Sequence, residues 1–150
     1  MTDLGEALTR GTVWLALTLY VASELAARRS HRGAARWLNA LGCSAFLAHV
    51  ACAFQFYHHW SHSAAYADTA RQTAQLTGWN SGAGLYINYF FALVWVATVI
   101  TPPRGPIIGM VRGFFLFMIF NGAVVFVHSP IRWFGLLLCV ALIGCWLIRK

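Results

Sequence analysis

Five long apolar runs dominate this chain and limit what it can fold into. They extend over residues 8–27, 37–57, 85–100, 107–128 and 130–148. A hydrocarbon core about 30 Å thick requires a helix of roughly 20 apolar residues, and each run comes near that length. Short polar or basic segments separate the runs, except for a longer connection over residues 58–83. We therefore predict an all-α integral membrane bundle of about five transmembrane helices, forming a single domain over residues 1–150.

The charge content supports this prediction. Only 10% of the residues are charged and 59% are hydrophobic, whereas soluble domains carry roughly 25% charged residues. The net charge of +7 comes mostly from arginines in short segments between the apolar runs. That placement indicates membrane topology and contact with anionic lipid, and it argues against nucleic acid as a partner.

The basic residues are distributed unevenly between the two sides of a five-span arrangement. One side has Arg28, Arg29, Arg32, Arg36, Arg104, Arg112, Arg149 and Lys150, and the other has Arg10, Arg71 and Arg132. Because cytoplasmic loops are enriched in arginine and lysine, we predict a cytoplasmic C-terminus and an outer N-terminus. The 58–83 connection then lies outside. Its residues 63–76 have a helix-forming composition and precede Gly78, which predicts one short extra helix there.

A histidine-rich string, HHWSH, follows the second run. If the helix continues through it, His58 and His62 stand one turn apart on the same face, which lets two imidazoles bind one ion. His128 ends the fourth run at the same depth and supplies a third ligand, with His59 as a substitute. Imidazole suits copper, zinc and haem iron, so any of these fits a site at the outer surface. The alternative interpretation is an interfacial polar turn around Trp60.

A second polar group lies deeper in the predicted bundle. His49 precedes His58 by nine residues, which places it about 14 Å further along the helix. Asn88 and Asn121 lie at a similar depth in other runs. Since polar side chains inside a bilayer need partners, we expect a hydrogen-bonded cluster of His49, Asn88 and Asn121. It would be either structural or part of a substrate, quinol or proton path.

Local charge pairs and a glycine stripe complete the pattern. Glu24, the one acidic residue well inside an apolar run, is predicted to pair with Arg28 one turn later, and Asp68 with Arg71. Glycines recur every four residues at the start of the fourth helix, at Gly105, Gly109 and Gly113. Such a stripe predicts close packing against a neighbouring helix.

The segment WSHSAAYADTARQTAQLTGWNSGAGLYINYFF, residues 60–91, is similar to a pattern in a family of small, uncharacterised polytopic membrane proteins of bacteria. The resemblance covers about a fifth of the chain. It implies a multi-pass protein of the cell inner membrane. No activity, cofactor or site residue follows from it.

Three functions fit this sequence. The first is an accessory or scaffold subunit that packs within the lipid bilayer against other membrane subunits or its own copies. The second is a metal- or haem-binding membrane protein for copper handling or electron transfer. The third is an oligomeric transporter, since five helices in one chain would need several copies to form a path. No hydrolase, zinc-protease or phosphate-loop motif occurs, and whether the chain is an enzyme stays open.

Overall fold

Helices form most of the described part of this chain. The computed structural model describes residues 3–127 and 130–147. The helices are α1 (Asp3–Arg28), α2 (Arg32–Ala53), α3 (His62–Thr77), α4 (Gly84–Ile100), α5 (Ile107–Phe120) and α6 (Arg132–Leu147). Two π-helical segments, Phe54–His58 and Asn121–Val125, continue α2 and α5. The described residues contain no strand, so the all-α prediction is confirmed for them.

The helix bounds differ from the predicted runs at several ends. α1 includes residues from Asp3 onward, ahead of the predicted run, and Asp3 and Glu6 near its start interact favourably with the positive end of the helix dipole. The short helix predicted over residues 63–76 is present as α3. The Ser61 side chain accepts a hydrogen bond of 3.2 Å from the Ala64 amide at its start. Gly78, with φ of +78°, ends it, as the predicted C-terminal glycine should.

The helix does not continue through the HHWSH string. α2 ends in the π-helical segment Phe54–His58, and His59 and Trp60 take left-handed φ values of 47° and 58°. Left-handed residues other than glycine interrupt a helix and turn the chain. α3 then begins at His62, so His58 and His62 belong to different helices. The shared helix face expected for these two histidines therefore does not occur.

Two helices of the described chain are long and apolar enough to cross a membrane. They are the continuous helices Arg32–His58, with 27 residues, and Ile107–Val125, with 19 residues. α4 and α6 are also apolar but shorter, with 17 and 16 residues. α1 is 26 residues long, but Asp3, Glu6 and Arg10 lie near its start. Two helices of sufficient length and hydrophobicity are weak evidence for a membrane protein. The arrangement of five spans stays a prediction.

An aromatic cluster joins four of the helices. Its members, all buried, are Tyr20 of α1, Phe46 of α2, Phe91 and Trp95 of α4, and Phe115 of α5. The Trp95 ring centroid lies 5.4 Å from those of Phe46 and Phe91 and 5.2 Å from that of Phe115. Aromatic pairs at these separations add about 0.5–1.5 kcal/mol each beyond the burial of their area. The cluster thus fixes the relative positions of α1, α2, α4 and α5.

α6 approaches α5 closely through Gly135. This glycine is buried, and a Cβ atom added to it would lie 2.5 Å from the Ala123 backbone oxygen in the π-helical segment. A side chain of any size would push the two backbones apart. α6 also contacts α1, where the ring centroids of Trp14 and Phe134 are 5.4 Å apart.

The predicted glycine stripe does not pack against another helix of the described chain. Gly105 lies in the turn before α5, with φ of +56°, so only Gly109 and Gly113 are on the helix. Both are exposed, and a Cβ atom added to either would meet no described atom within 4 Å. This face of α5 is therefore open.

Candidate functional site

The histidine-bearing end of the bundle, where α2 ends and α4 begins, places His58 and His62 against aromatic rings. The His58 ring centroid lies 5.7 Å from that of Phe54. The His62 ring centroid lies 5.8 Å from that of Tyr86 and 5.9 Å from that of Tyr89. The two imidazoles thus pack on different residues, an arrangement that suits the alternative interpretation of an interfacial polar turn.

The described part of the chain contains only two of the three histidines of the predicted metal site, so that site stays a prediction. His128, its third ligand, lies outside the described residues. His59, the substitute, is exposed in the turn between α2 and α3. Among residues 3–127 and 130–147, no group of three or more histidine, cysteine, aspartate or glutamate side chains is placed to hold a metal ion. The four cysteines are free thiols.

The three deeper polar residues each have a different environment. His49 Nδ1 lies 2.8 Å from the carbonyl oxygen of Thr9, and since a carbonyl only accepts, Nδ1 donates. This bond ties α2 to α1. Asn121 Nδ2 donates to the Phe117 carbonyl of its own helix at 2.8 Å. Asn88 is exposed on α4. No hydrogen bond joins these three side chains to one another in the described structure.

A charged network lies at the opposite end of the bundle. We call this end, where α1, α4 and α6 end and α2 and α5 begin, the arginine-rich end. Glu24 Oε2 lies 2.7 Å from Arg112 Nη2 and accepts a hydrogen bond of 2.8 Å from Trp146 Nε1. The guanidinium carbon of Arg112 also lies 5.5 Å from the Trp146 ring centre. The Glu24 side chain is only 16% exposed, and a carboxylate so placed needs charged and polar partners. Glu24 thereby joins α1 to α5 and α6.

Arg28 has a different role from the predicted one. Its Nη1 donates to the carbonyl oxygens of Cys145 and Gly144, at 2.5 and 3.4 Å. Arg28 thereby joins the C-terminal end of α1 to the last described turn of α6. The predicted Glu24–Arg28 ion pair is therefore wrong, because each residue has a better partner on another helix. The Asp68–Arg71 pair is confirmed, with an N–O distance of 2.7 Å.

A cleft of about 790 Å³ lies at the arginine-rich end between α1, α2, α4 and α5. Charged side chains of Glu24, Arg36 and Arg112 contribute to its lining, together with apolar side chains such as Trp37 and Ile108. Small-molecule sites typically measure roughly 300–1,000 Å³ and combine an apolar lining with a few polar groups. The volume of the cleft lies within that range, and its lining combines apolar side chains with three charged ones.

Comparison with known proteins adds no family. No protein-family model matches this chain, and no curated protein or solved structure is similar to it. The likeness of residues 60–91 to small bacterial membrane proteins stays a resemblance. Function is therefore inferred from the residues and their contacts.

The network around Glu24 and the cleft were missed by reasoning from the sequence. A signal for the ion pair does exist, since Glu24 and Arg112 are opposite charges inside two separate apolar runs. Ionisable residues in such runs tend to pair with one another. The sequence does not show that α1 and α5 are neighbours, so it could not indicate that Glu24 pairs with Arg112 and not with the nearer Arg28.

Proposed function

We propose that this protein is a small multi-pass protein of the bacterial inner membrane that acts as an accessory or scaffold subunit of a larger membrane complex. Its helices α1, α2, α4, α5 and α6 each cross the bilayer once, with the N-terminus outside and the C-terminus in the cytoplasm.

The distribution of arginines supports this orientation. Of the nine described arginines, six lie at the arginine-rich end, and Arg10, Arg71 and Arg132 lie at the other. An excess of arginine and lysine is typical of the cytoplasmic side. α6 has 16 described residues, which corresponds to a length of about 24 Å. That is close to the lower limit for a membrane-spanning helix.

The open glycine face of α5 is the observation that carries the accessory role. Gly109 and Gly113 lie one turn apart, and a Cβ atom added to either would meet no described atom of another helix within 4 Å; the neighbouring Met110 is 75% exposed. Small residues at this spacing let a second helix approach closely within a bilayer. Since no described helix of this chain covers that face, a helix of another subunit or of a second copy is the fitting occupant.

Asn88 supports the same proposal from α4. It is exposed, and its amide makes no hydrogen bond within the described residues. Exposed apolar residues, Ile87 and Phe90, flank it on the same helix. An outward amide among apolar side chains is costly in lipid, whereas an amide on a partner helix would satisfy it.

Replacing Gly109 by leucine tests the accessory role. The complex extracted from native membranes into lipid nanodiscs should dissociate in Gly109→Leu, because the side chain holds the partner helix away. The melting temperature of the isolated chain should not change, since that side chain enters open space. Size on native gels and crosslinking from a photoreactive residue at Met110 measure the assembly, and the mass of the crosslinked product distinguishes another subunit from a second copy.

Gly11→Leu is the matched control. Gly11 on α1 is exposed and also has no described atom within 4 Å of an added Cβ, so the same substitution there should leave both assembly and stability unchanged. A wild-type protein that runs as a single free chain in nanodiscs, or a Gly109→Leu variant that keeps its complex, would contradict the proposal.

A further inference from the structure

The cleft at the arginine-rich end has positive charge that no described residue neutralises. Its lining contains two arginines and one glutamate, a net charge of +1. Glu24 is already paired with Arg112. Arg36 makes no ion pair or hydrogen bond with its side chain to any described residue. The lining of the cleft therefore includes one arginine without a side-chain partner among the described residues, Arg36, and one that is already paired, Arg112.

Arg112 itself has hydrogen-bonding capacity to spare. Its Nη2 contacts Glu24, but its Nε is buried and has no hydrogen-bond partner among the described residues. Buried donors without an acceptor are rare and costly. The Arg112 side chain as a whole is 35% exposed, so part of it, although not the buried Nε, is open to a ligand in the cleft.

The rest of the lining is largely apolar. It includes Trp37, Val99, Ile100, Ile108, Val111 and Phe115. Trp37 is 74% and Ile100 76% exposed, so large apolar side chains stand open beside the arginines. This combination suits an amphiphile, with an anionic group for the guanidiniums and a hydrocarbon part for the apolar wall.

We propose that the cleft binds one anionic phospholipid of the cytoplasmic leaflet, with its phosphate held by Arg36 and Arg112 and an acyl chain against the apolar lining. The proposal rests on the membrane placement proposed for the arginine-rich end. Guanidinium groups match phosphate oxygens with paired hydrogen bonds. A soluble phosphate would use the same donors but leave the apolar side chains uncovered, which is why the lipid is favoured.

Lipid titration followed by native mass spectrometry tests this site. The full-length protein, stripped of lipid in mild detergent, is titrated with phosphatidylglycerol and separately with phosphatidylcholine of the same acyl chains. One phosphatidylglycerol should be retained, and phosphatidylcholine should bind more weakly. Arg36→Gln should weaken retention of phosphatidylglycerol by roughly five- to tenfold, the effect of one basic group on an anionic lipid.

Arg32→Gln is the matched control, because it removes one charge from the same end at a residue that does not line the cleft. The affinity of Arg32→Gln for phosphatidylglycerol should equal that of the wild type. Gly33→Leu provides a second variant that keeps all charges: Gly33 lines the cleft and has open space around an added Cβ, so the side chain should lower lipid retention without unfolding the protein.

Three results would overturn the proposal. Equal weakening by Arg36→Gln and Arg32→Gln would mean diffuse attraction to a basic surface. Equal retention of the two lipids would mean that the cleft does not select charge. Displacement of phosphatidylglycerol by inorganic phosphate at a similar concentration would assign the arginines to a soluble phosphate. Because this assay uses the isolated chain, it can fail while the subunit complex stays intact, and the two proposals are tested separately.

Discussion

The close approach of α6 to α5 predicts that Gly135→Ala destabilises the protein. An alanine Cβ at this position would lie 2.5 Å from the Ala123 oxygen and 2.8 Å from the Ala123 Cβ. Ordinary contacts between carbon and its neighbours are about 3.5–4.0 Å, so the backbones must separate by roughly 1 Å. The obstacle includes backbone atoms of the π-helical segment, which cannot rotate aside as a side chain would.

The magnitude follows from two opposing effects. Overpacking of a well-packed contact costs about 1–3 kcal/mol, while alanine in place of glycine favours a helix by about 1 kcal/mol. Gly144→Ala is the matched control in the same helix, since an added Cβ there meets no described atom within 4 Å. Both variants gain the same helix propensity, so this gain cancels when they are compared. Gly135→Ala should therefore be less stable than Gly144→Ala by about 1–3 kcal/mol.

The free energy of unfolding can be measured by titrating SDS into mild-detergent micelles and following the far-ultraviolet circular dichroism. Reversible transitions for the wild type and both variants give the comparison directly. If Gly135→Ala matched or exceeded Gly144→Ala in stability, α6 could move away from Ala123 at no cost. The close approach would then not be what holds the two helices together.

Three further predictions concern the charged network, the topology and the histidines. Glu24→Gln should lower the free energy of unfolding by about 2 kcal/mol, because Arg112 and Trp146 lose a charged acceptor. The control Glu6→Gln breaks an exposed pair with Arg10 and should cost less than about 1 kcal/mol. Equal losses in the two variants would contradict a special role for the Glu24 network. In a background lacking the four native cysteines, an impermeant thiol reagent applied to intact cells should label Gln75→Cys and spare His31→Cys, and the reverse pattern would invert the proposed topology. If the histidines form a metal site, titrated copper or zinc should bind the wild type more tightly than single alanine variants of His58, His62 and His128, and equal binding would leave these residues as an interfacial turn.

The structural features that could be predicted from the sequence are those set by residues close to one another along the chain. α3 could be predicted because helix-forming composition and a terminating Gly78 are local signals, and Ser61 supplies its cap. The Asp68–Arg71 pair follows from the i, i+3 spacing alone. The break at His59 was missed, because no glycine or proline marks it and its left-handed residues are a histidine and a tryptophan.

Contacts between distant helices could not be predicted in the same way. Glu24 had a basic residue one turn away, yet it pairs with Arg112, and His49 donates to a backbone carbonyl of α1 instead of a polar side chain. Backbone carbonyls are acceptors that every helix carries, so sequence composition does not indicate which one a histidine will reach. The choice depends on which helices are neighbours, and that is set by packing such as the aromatic cluster around Trp95.

The arginines of the arginine-rich end divide into two groups with different physical roles. Arg28 and Arg112 are held by groups on other helices, the α6 carbonyls and Glu24, so their removal should lower the stability of the fold. Arg29, Arg32, Arg36 and Arg104 have no side-chain partner among the described residues. Their charges are free to orient the chain and to attract anionic lipid. Of these four, Arg36 alone lines the cleft, which is why a single substitution there can separate a specific lipid site from the general attraction of this end for a membrane.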